Sequence, residues 1–211
     1  MLSLYLVRHG QTDASRNNLF AGRIDPPLNA TGAAMAEALA ARYGSFDWRE
    51  IVSSPLLRAQ QTAAPTARDA GRSVTIDDGL IEIAYGEWDG RAEDEVERAD
   101  HARFAAWAAH PGRVAPPGGE SGDQIAVRAL AAVDRIRDRH RDGNVMVVSH
   151  KATLRVLLCA LLGIDVDLFR ARIGQRVAGV TIVEFKASGP LVQVLGDRSH
   201  LPAALLEGDG T

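Results

Sequence analysis

The sequence predicts an α/β fold, a three-layer sandwich in which helices cover both faces of a mostly parallel sheet of about six strands. Three observations favour this class. Short apolar, β-prone runs alternate with amphipathic helical patterns along the chain, which is typical of parallel sheets. The length of 211 residues fits one domain. The composition, with 46% hydrophobic and 24% charged residues, is that of an ordinary globular protein.

Six short runs rich in apolar and β-branched residues are the predicted strands. In chain order they are Leu2–Val7, Ile51–Val52, Val74–Ile76, Val145–Val148, Val180–Phe185 and Leu191–Leu195. A short segment that contains Gly189 and Pro190 separates the last two. We therefore expect these two strands to form an antiparallel hairpin at an edge of the sheet.

Four helical patterns lie between the strands. They cover Thr31–Tyr43, Pro55–Asp69 with a kink at Pro65, Ser121–His140 and Ala152–Leu162. Residues 84–118 break the alternation, because they combine polar residues, one amphipathic piece at 101–109 and three prolines. We expect a small helical insertion there, within a domain of residues 1–200, and a flexible tail over 201–211.

Charge and composition exclude several classes of function. The formal net charge of −3 gives no basic surface for nucleic acid or an anionic membrane. The arginine-rich run 135–142 includes Asp138 and Asp142, which predicts a solvated helix face. Apolar runs are far shorter than the ~20 residues that cross a bilayer, and no signal-peptide pattern precedes Arg8, so we expect a cytoplasmic protein. A single cysteine, Cys159, excludes an internal disulfide framework.

Two histidines follow predicted strands at the points where ligands of open α/β sheets collect. The first strand runs into Arg8 and His9, with Gly10 allowing a tight turn. The fourth ends in His150, which Lys151 follows. Alone, His9 is equally well explained as a hydrogen-bonded structural residue. At the tips of two parallel strands, however, the two histidines are expected to converge.

A further cation and a carboxylate also follow strands. After Ile51–Val52, Ser53 to Pro55 is typical of an N-cap serine and a first-turn proline, and Arg58 then falls in the first turn. A cation is disfavoured there unless an anion binds, so Arg58 indicates a phosphate site, the alternative being a solvated side chain. Glu82 follows the third strand, and alone it would be interpreted as a surface glutamate.

Together, the two arginines, two histidines and one glutamate predict a pocket for a phosphoryl dianion, because the planar guanidinium group of arginine can donate hydrogen bonds to two phosphate oxygens at once. Two arginines would repel a divalent cation. The sequence also lacks a His-Glu-x-x-His helix, an aspartate-rich phosphatase loop, a Walker loop and a dinucleotide fingerprint. We therefore expect no metal and no cofactor.

Six motifs in order resemble those of the histidine phosphatase superfamily, in its phosphoglycerate-mutase-like branch, over essentially residues 2–200. They are Arg8-His9-Gly10-x-Thr12, Gly22-x-x-Asp25-x-Pro27-Leu28-x-x-x-Gly32, Ser53-Ser54-Pro55-x-x-Arg58-x-x-x-Thr62, Glu82-x-x-x-Gly86-x-Trp88-x-Gly90, Gly118-Gly119-Glu120-Ser121 and Val148-Ser149-His150. By this resemblance His9 is the nucleophile that becomes phosphorylated, and Glu82 is the proton donor. The resemblance gives the phosphate-binding role to Arg8, Thr12, Arg58 and His150. It also places the helical insertion over the active site.

Two positions depart from the family pattern. Ser15 stands where the family commonly has an asparagine, and Lys151 stands where a glycine often follows the second histidine. Lys151 would strengthen phosphate binding, reach an anionic group of the substrate or point to solvent. The residues expected to bind the rest of the substrate are Gly22, Tyr85, Lys151 and His200.

The resemblance is strongest to metal-independent phosphoserine phosphatases and their broad-specificity relatives, although a histidine often occupies the place of Tyr85 in that group. The expected activity is hydrolysis of small anionic phosphomonoesters, including phosphoserine, phosphoglycerates and sugar phosphates. The alternatives are a cofactor-dependent phosphoglycerate mutase, which the short insertion disfavours, and a catalytically silent protein that binds phosphorylated ligands. A homodimer through an edge of the sheet is compatible with the pattern, but no motif predicts it.

Overall fold

A six-stranded mixed sheet forms the centre of the molecule. The computed structural model describes residues 1–206, so residues 207–211 of the predicted tail lie outside the described residues. The strands are β1 (Leu2–Arg8), β2 (Trp48–Ser53), β3 (Val74–Ile76), β4 (Gly143–Ser149), β5 (Val180–Lys186) and β6 (Gly189–Asp197). Their spatial order is β3-β2-β4-β1-β5-β6. The first four strands in this order are parallel, whereas β5 is antiparallel to both β1 and β6. The predicted fold class is confirmed, and the terminal hairpin forms as expected.

Helices cover both faces of the sheet. They are α1 (Asp13–Arg16), α2 (Ala30–Tyr43), α3 (Leu57–Asp69), α4 (Glu93–Ala99), α5 (His101–Ala109), α6 (Gly122–Arg139), α7 (Lys151–Leu162) and α8 (Phe169–Arg172). Along β4, Val145 and Val147 pack with α6 and α7, whereas Met146 and Val148 pack with α2 and α3. The continuous apolar sequence of β4 therefore reflects burial on both faces. No helix within residues 1–206 is long and apolar enough to cross a membrane.

The start of α3 differs from the prediction. The helix begins at Leu57, and no serine caps it. Instead, the backbone N–H of Leu57 donates to both carboxylate oxygens of Asp25, each at 2.9 Å. The predicted capping serine, Ser54, accepts the N–H of Leu56, the residue before the helix, at 3.3 Å, and its Oγ lies 2.7 Å from Nε2 of His150. A carboxylate from a distant loop thus satisfies the free amide at this helix end.

The segment 84–118 contains α4, α5 and a 3₁₀ turn at Gly86–Trp88. Trp88, Phe104 and Trp107 form a separate aromatic cluster with Val96 and with Phe20 from outside the segment. This cluster gives the insertion its own small apolar core beside the main sheet.

In the part of the predicted tail that the structure describes, residues 201–206, Leu201 and Leu205 contact the rest of the domain and the other side chains are exposed. Leu201 is buried in a small cluster with Met35, Val177 and Ala178, and a 3₁₀ turn follows at Ala203–Leu205. Leu201 therefore belongs to a small apolar cluster of the domain.

Candidate active site

The register of the sheet brings His9 and His150 together. β1 and β4 are parallel neighbours in which Arg8 aligns with Ser149, so the two histidines are the next residues on adjacent strands. The backbone N–H of His9 donates to the carbonyl of Ser149 at 3.0 Å. The two imidazole rings lie with their centroids 5.2 Å apart.

Hydrogen bonding gives His9 a defined tautomer. Its Nδ1 lies 2.7 Å from the carbonyl oxygen of Gly10. Because a carbonyl only accepts, Nδ1 carries the proton and Nε2 keeps a lone pair. Burial, followed by the charges of Arg58 and Arg8, lowers the pKa of His9 well below its usual value. At neutral pH this ring is therefore uncharged, which is the state that a nucleophilic imidazole requires.

His150 is a second neutral imidazole. It is fully buried, and its Nε2 lies 2.7 Å from Ser54 Oγ. Burial, then the charges of Arg58 and His9, lower the pKa of His150 well below its usual value. Its Nδ1 is buried without a hydrogen-bond partner among residues 1–206, which leaves one ring nitrogen available to a ligand.

Two buried arginines flank the histidines. Arg8 Nη1 donates to the carbonyl of Gln175 at 2.6 Å. Arg58, only 1% exposed, donates to the carbonyls of Ala21 at 2.8 Å and Ile24 at 2.9 Å. Its Nε is buried and has no acceptor in the described part of the chain. Burial lowers the pKa of Arg58. A guanidinium remains charged in proteins, so the site holds two desolvated cations.

Glu82 lies at the amino end of α7. Its Oε2 accepts the N–H of Ala152 at 3.1 Å, and Oε1 accepts the N–H and the hydroxyl of Thr153, both at 3.1 Å. His150 occupies the N-cap position but makes no side-chain cap. The carboxylate of Glu82 therefore caps α7 and is held beside His150.

Thr12 and Ser15 form a reciprocal capping box at the start of α1. Ser15 N donates to Thr12 Oγ1 at 3.0 Å, and Thr12 N donates to Ser15 Oγ at 2.9 Å. The residue that departs from the family pattern thus orders the turn after His9.

A cavity of about 810 Å³ opens at this end of the sheet. The predicted site residues that line it are Arg8, His9, Thr12, Glu82, Tyr85 and Lys151. Arg58 and His150 are buried next to it and do not line it. Burial, then Arg8 and Arg155, lower the pKa of Lys151 to about 8. Burial raises the pKa of the Tyr85 phenol.

Two predicted substrate-binding residues lie outside the lining. His200 packs its ring against Tyr43, 5.9 Å between centroids, and does not line the cavity. Gly22 supports the wall instead of lining it. Its N–H donates to Asp89 Oδ1 at 2.6 Å, and a Cβ there would meet the carbonyl oxygen of Ile83 at 2.2 Å.

The sequence analysis did not identify many of the charged residues that line the cavity. The missed lining residues with charged side chains are Glu93, Asp94, Glu97, Arg155, Arg170 and Arg176. Arg155 lies one helical turn after Lys151, a spacing that places both on one face of α7. The others come from α4 and from the segment after α7, where no periodicity marks them. Within residues 1–206, no three His, Cys, Asp or Glu side chains are grouped as metal ligands would be.

Comparisons with known proteins identify similar sequences and folds. The family model described as "Histidine phosphatase superfamily (branch 1)" matches residues 4–198. The chain is 34% identical over 169 residues to phosphoserine phosphatase 1 of Hydrogenobacter thermophilus, covering 80% of each protein. It is 32% identical over 214 residues to a probable phosphoglycerate mutase, GpmB, of Shigella boydii, covering 98% of each. Bacillus stearothermophilus YhfR has a similar structure, with a TM-score of 0.88, 32% identity, and coverage of 95% of this chain and 99% of that one.

Proposed function

The chain belongs to branch 1 of the histidine phosphatase superfamily, and from this membership we propose that it hydrolyses small phosphomonoesters through a phosphohistidine on His9, without a metal ion. The observation that carries the proposal is the state of His9. Its ring is neutral, its Nε2 keeps a lone pair, and it lies at the cavity beside two buried arginines. This is the arrangement that in-line attack on a phosphorus atom requires.

In the first step, Nε2 of His9 attacks phosphorus while the bond to the alcohol oxygen breaks. Charge on the three remaining phosphoryl oxygens is balanced by Arg8 and Arg58. His150 adds a donor when Nδ1 carries its proton and Nε2 accepts the Ser54 hydroxyl. Glu82, protonated at this stage, gives its proton to the departing alkoxide. Oε2 of Glu82 accepts one backbone bond and so has a lone pair that can carry this proton.

In the second step, a water molecule replaces the alcohol. Glu82, now a carboxylate, takes a proton from this water as its oxygen attacks the phosphorus of phospho-His9. The phosphorus–nitrogen bond breaks, His9 returns to the neutral state, and phosphate leaves. Microscopic reversibility assigns both proton transfers to the same carboxyl group.

The substrate class follows from the charges of the cavity wall. Lys151 and Arg176 line the cavity with cations suited to an anionic group on the alcohol, and Glu97 adds a carboxylate suited to hydroxyl or ammonium groups. The other two lining carboxylates already form ion pairs, Glu93 with Arg170 at 2.7 Å and Asp94 with Arg98 at 3.1 Å. Tyr85 adds an aromatic surface. We therefore assign small polar phosphomonoesters as substrates, among them phosphoserine, phosphoglycerates and sugar phosphates. The similarity to a protein named phosphoserine phosphatase supports this range.

Phosphate release from a panel of such esters, measured with excess chelator, tests the proposal. We expect wild-type protein to release phosphate in chelator and His9→Ala to release none. Release that chelator abolishes, or that survives in His9→Ala, would contradict the mechanism.

A mutase is the second candidate, favoured by 32% identity to a probable phosphoglycerate mutase over nearly the whole chain. A mutase would interconvert phosphoglycerates in the presence of 2,3-bisphosphoglycerate and release little phosphate. The ratio of transferred to released phosphoryl groups distinguishes the two activities.

A further inference from the structure

We propose that Arg128 and Glu120 are positioning residues for Glu82 and set the rate of the steps in which Glu82 moves a proton. The inference rests on the proposed phosphatase reaction. Neither residue lines the cavity, so neither is expected to touch the substrate. Both side chains are 19% exposed and lie beside the loop that carries Glu82.

Arg128 binds the carbonyls of this loop. From α6, its Nη1 donates to the carbonyls of Gly79 at 2.9 Å and Ile81 at 2.6 Å, and its Nη2 approaches the carbonyl of Glu82 at 3.3 Å. The loop lies outside the sheet, so these carbonyls have no strand partners. A guanidinium satisfies several acceptors at once because its donors form a rigid planar fork, which an ammonium lacks.

Glu120 completes the arrangement on the other side of Glu82. Its carboxylate accepts Nε of Arg128 at 2.9 Å and Nη2 at 3.1 Å. The same carboxylate accepts the backbone N–H of Ala84 at 3.0 Å and Nη2 of Arg23 at 3.2 Å. One ion pair therefore holds the backbone both before and after Glu82.

The side chain of Glu82 is held from the opposite direction by the amino end of α7. The N–H of the adjacent Ile83 also donates to Oε1, at 2.9 Å. The carboxylate position thus depends on the amides of Ile83, Ala152 and Thr153 at its oxygens and on the Arg128–Glu120 pair, the second support, at its backbone. A misplacement of about 1 Å costs roughly 10²-fold in rate when a reacting group must be aligned. Loosening the second support is therefore expected to impair proton transfer without removing the carboxyl group.

Leaving groups of different basicity separate this role from a general structural one. An alkoxide needs a proton from Glu82 as it departs, whereas a nitrophenolate leaves without one. The experiment compares kcat/KM for phosphoserine and for p-nitrophenyl phosphate in five proteins: wild type, Arg128→Lys, Glu82→Gln, the double variant that combines these two substitutions, and Arg139→Lys. Arg139 is the matched control, because it lies on the same helix but pairs with Glu50 at the surface.

We expect Arg128→Lys to lower the value for phosphoserine about tenfold or more and the value for p-nitrophenyl phosphate much less. Glu82→Gln should lower kcat/KM for phosphoserine even more, again with a much smaller effect on p-nitrophenyl phosphate. In the double variant, Arg128→Lys should not lower kcat/KM for phosphoserine any further relative to that for p-nitrophenyl phosphate. Arg139→Lys should leave both values unchanged. Glu120→Gln, which loses the charge but keeps the shape, carries the same test if Arg128→Lys does not fold.

Equal losses for both substrates, or no loss for either, would overturn the positioning role. Failure of the proposed function looks different. It would appear as wild-type protein that releases no phosphate, or as release that persists in His9→Ala.

Discussion

At the scale of single residues, Lys151 is a cation whose charge changes near neutral pH. Burial, with Arg8 and Arg155 nearby, lowers its pKa to about 8, so it is largely charged at pH 7 and largely neutral at pH 9. If it binds an anionic group of the leaving alcohol, KM for phosphoglycerate should rise between pH 7 and 9. KM for an uncharged alkyl phosphate should change little over the same interval.

Steady-state kinetics of Lys151→Met provide the control. This variant should have a raised KM for phosphoglycerate that no longer depends on pH in this interval. The same rise in the variant as in wild type would show that another group titrates.

Residues at strand ends were predictable, and residues placed by irregular segments were not. His9 and His150 converge because a parallel register brings the ends of β1 and β4 to one edge. His200 follows the last strand, and its position depends on where the chain turns back toward α2. Glu82 was predictable only from the motif, because its place at α7 comes from hydrogen bonds to Ala152 and Thr153.

At the scale of elements, Gly86 lies four residues after Glu82, where the backbone packs closely against Pro117 in the segment before α6. Its φ of +56° is left-handed, and a Cβ would lie 2.1 Å from the carbonyl oxygen of Pro117. Gly90 has a similarly positive φ of +82° but no atom within 4 Å of its Cβ position. Gly90→Ala should therefore cost about 1 kcal/mol of unfolding free energy, from backbone strain alone.

Gly86→Ala should cost about 1–3 kcal/mol more, because the backbone must also move away from Pro117. Urea unfolding of the two variants measures the difference directly. If both variants lose the same free energy of unfolding, the backbone at residue 86 moves away from Pro117 without an energetic cost.

The cap of α3 makes a second prediction about an element. Asp25→Ala removes the acceptor of the Leu57 N–H and should lower the unfolding free energy by about 1 kcal/mol. Asp25→Asn keeps an oxygen acceptor and should lose less. Urea unfolding compares the two, and an equal loss in both would assign the effect to the charge of Asp25 near Arg58.

Strong apolar patterns predicted the long helices, whereas weak or interrupted patterns explain why α4 and the start of β2 were not predicted. The four predicted long helices correspond to α2, α3, α6 and α7, with ends within a few residues. α4 went unrecognised because Val96 is its only buried side chain, so it has no apolar periodicity. β2 begins at Trp48, earlier than predicted, because Arg49 and Glu50 interrupt the apolar run.

At the scale of the whole molecule, two buried histidines make stability depend on pH. The pKa values of His9 and His150 lie well below the usual 6.5, so the unfolded chain binds more protons below that pH. Their contribution to stability is complete above pH 6.5 and is lost as the pH falls. Below pH 6.5, each histidine is expected to lower the free energy of unfolding by about 1.4 kcal/mol for every pH unit of acidification.

Urea unfolding at pH 7, 6 and 5, above the range where most carboxyl groups titrate, should show this decline. His9→Gln should have a smaller slope, and His101→Gln, at an exposed position, should keep the wild-type slope. A flat profile in wild-type protein would contradict the neutral state of both buried rings.

The position of β1 in the sheet also affects the folding of the nascent chain. Both hydrogen-bonded neighbours of β1, the strands β4 and β5, come from beyond residue 142. β1, the strand that precedes His9, therefore stays without its β4 neighbour until residue 149 has been synthesised, and without its β5 neighbour until residue 186 has been synthesised. Such non-local pairing slows folding and leaves apolar strands exposed to aggregation in the meantime. This topology makes the growing chain a candidate for chaperone binding until β4 and β5 have been synthesised.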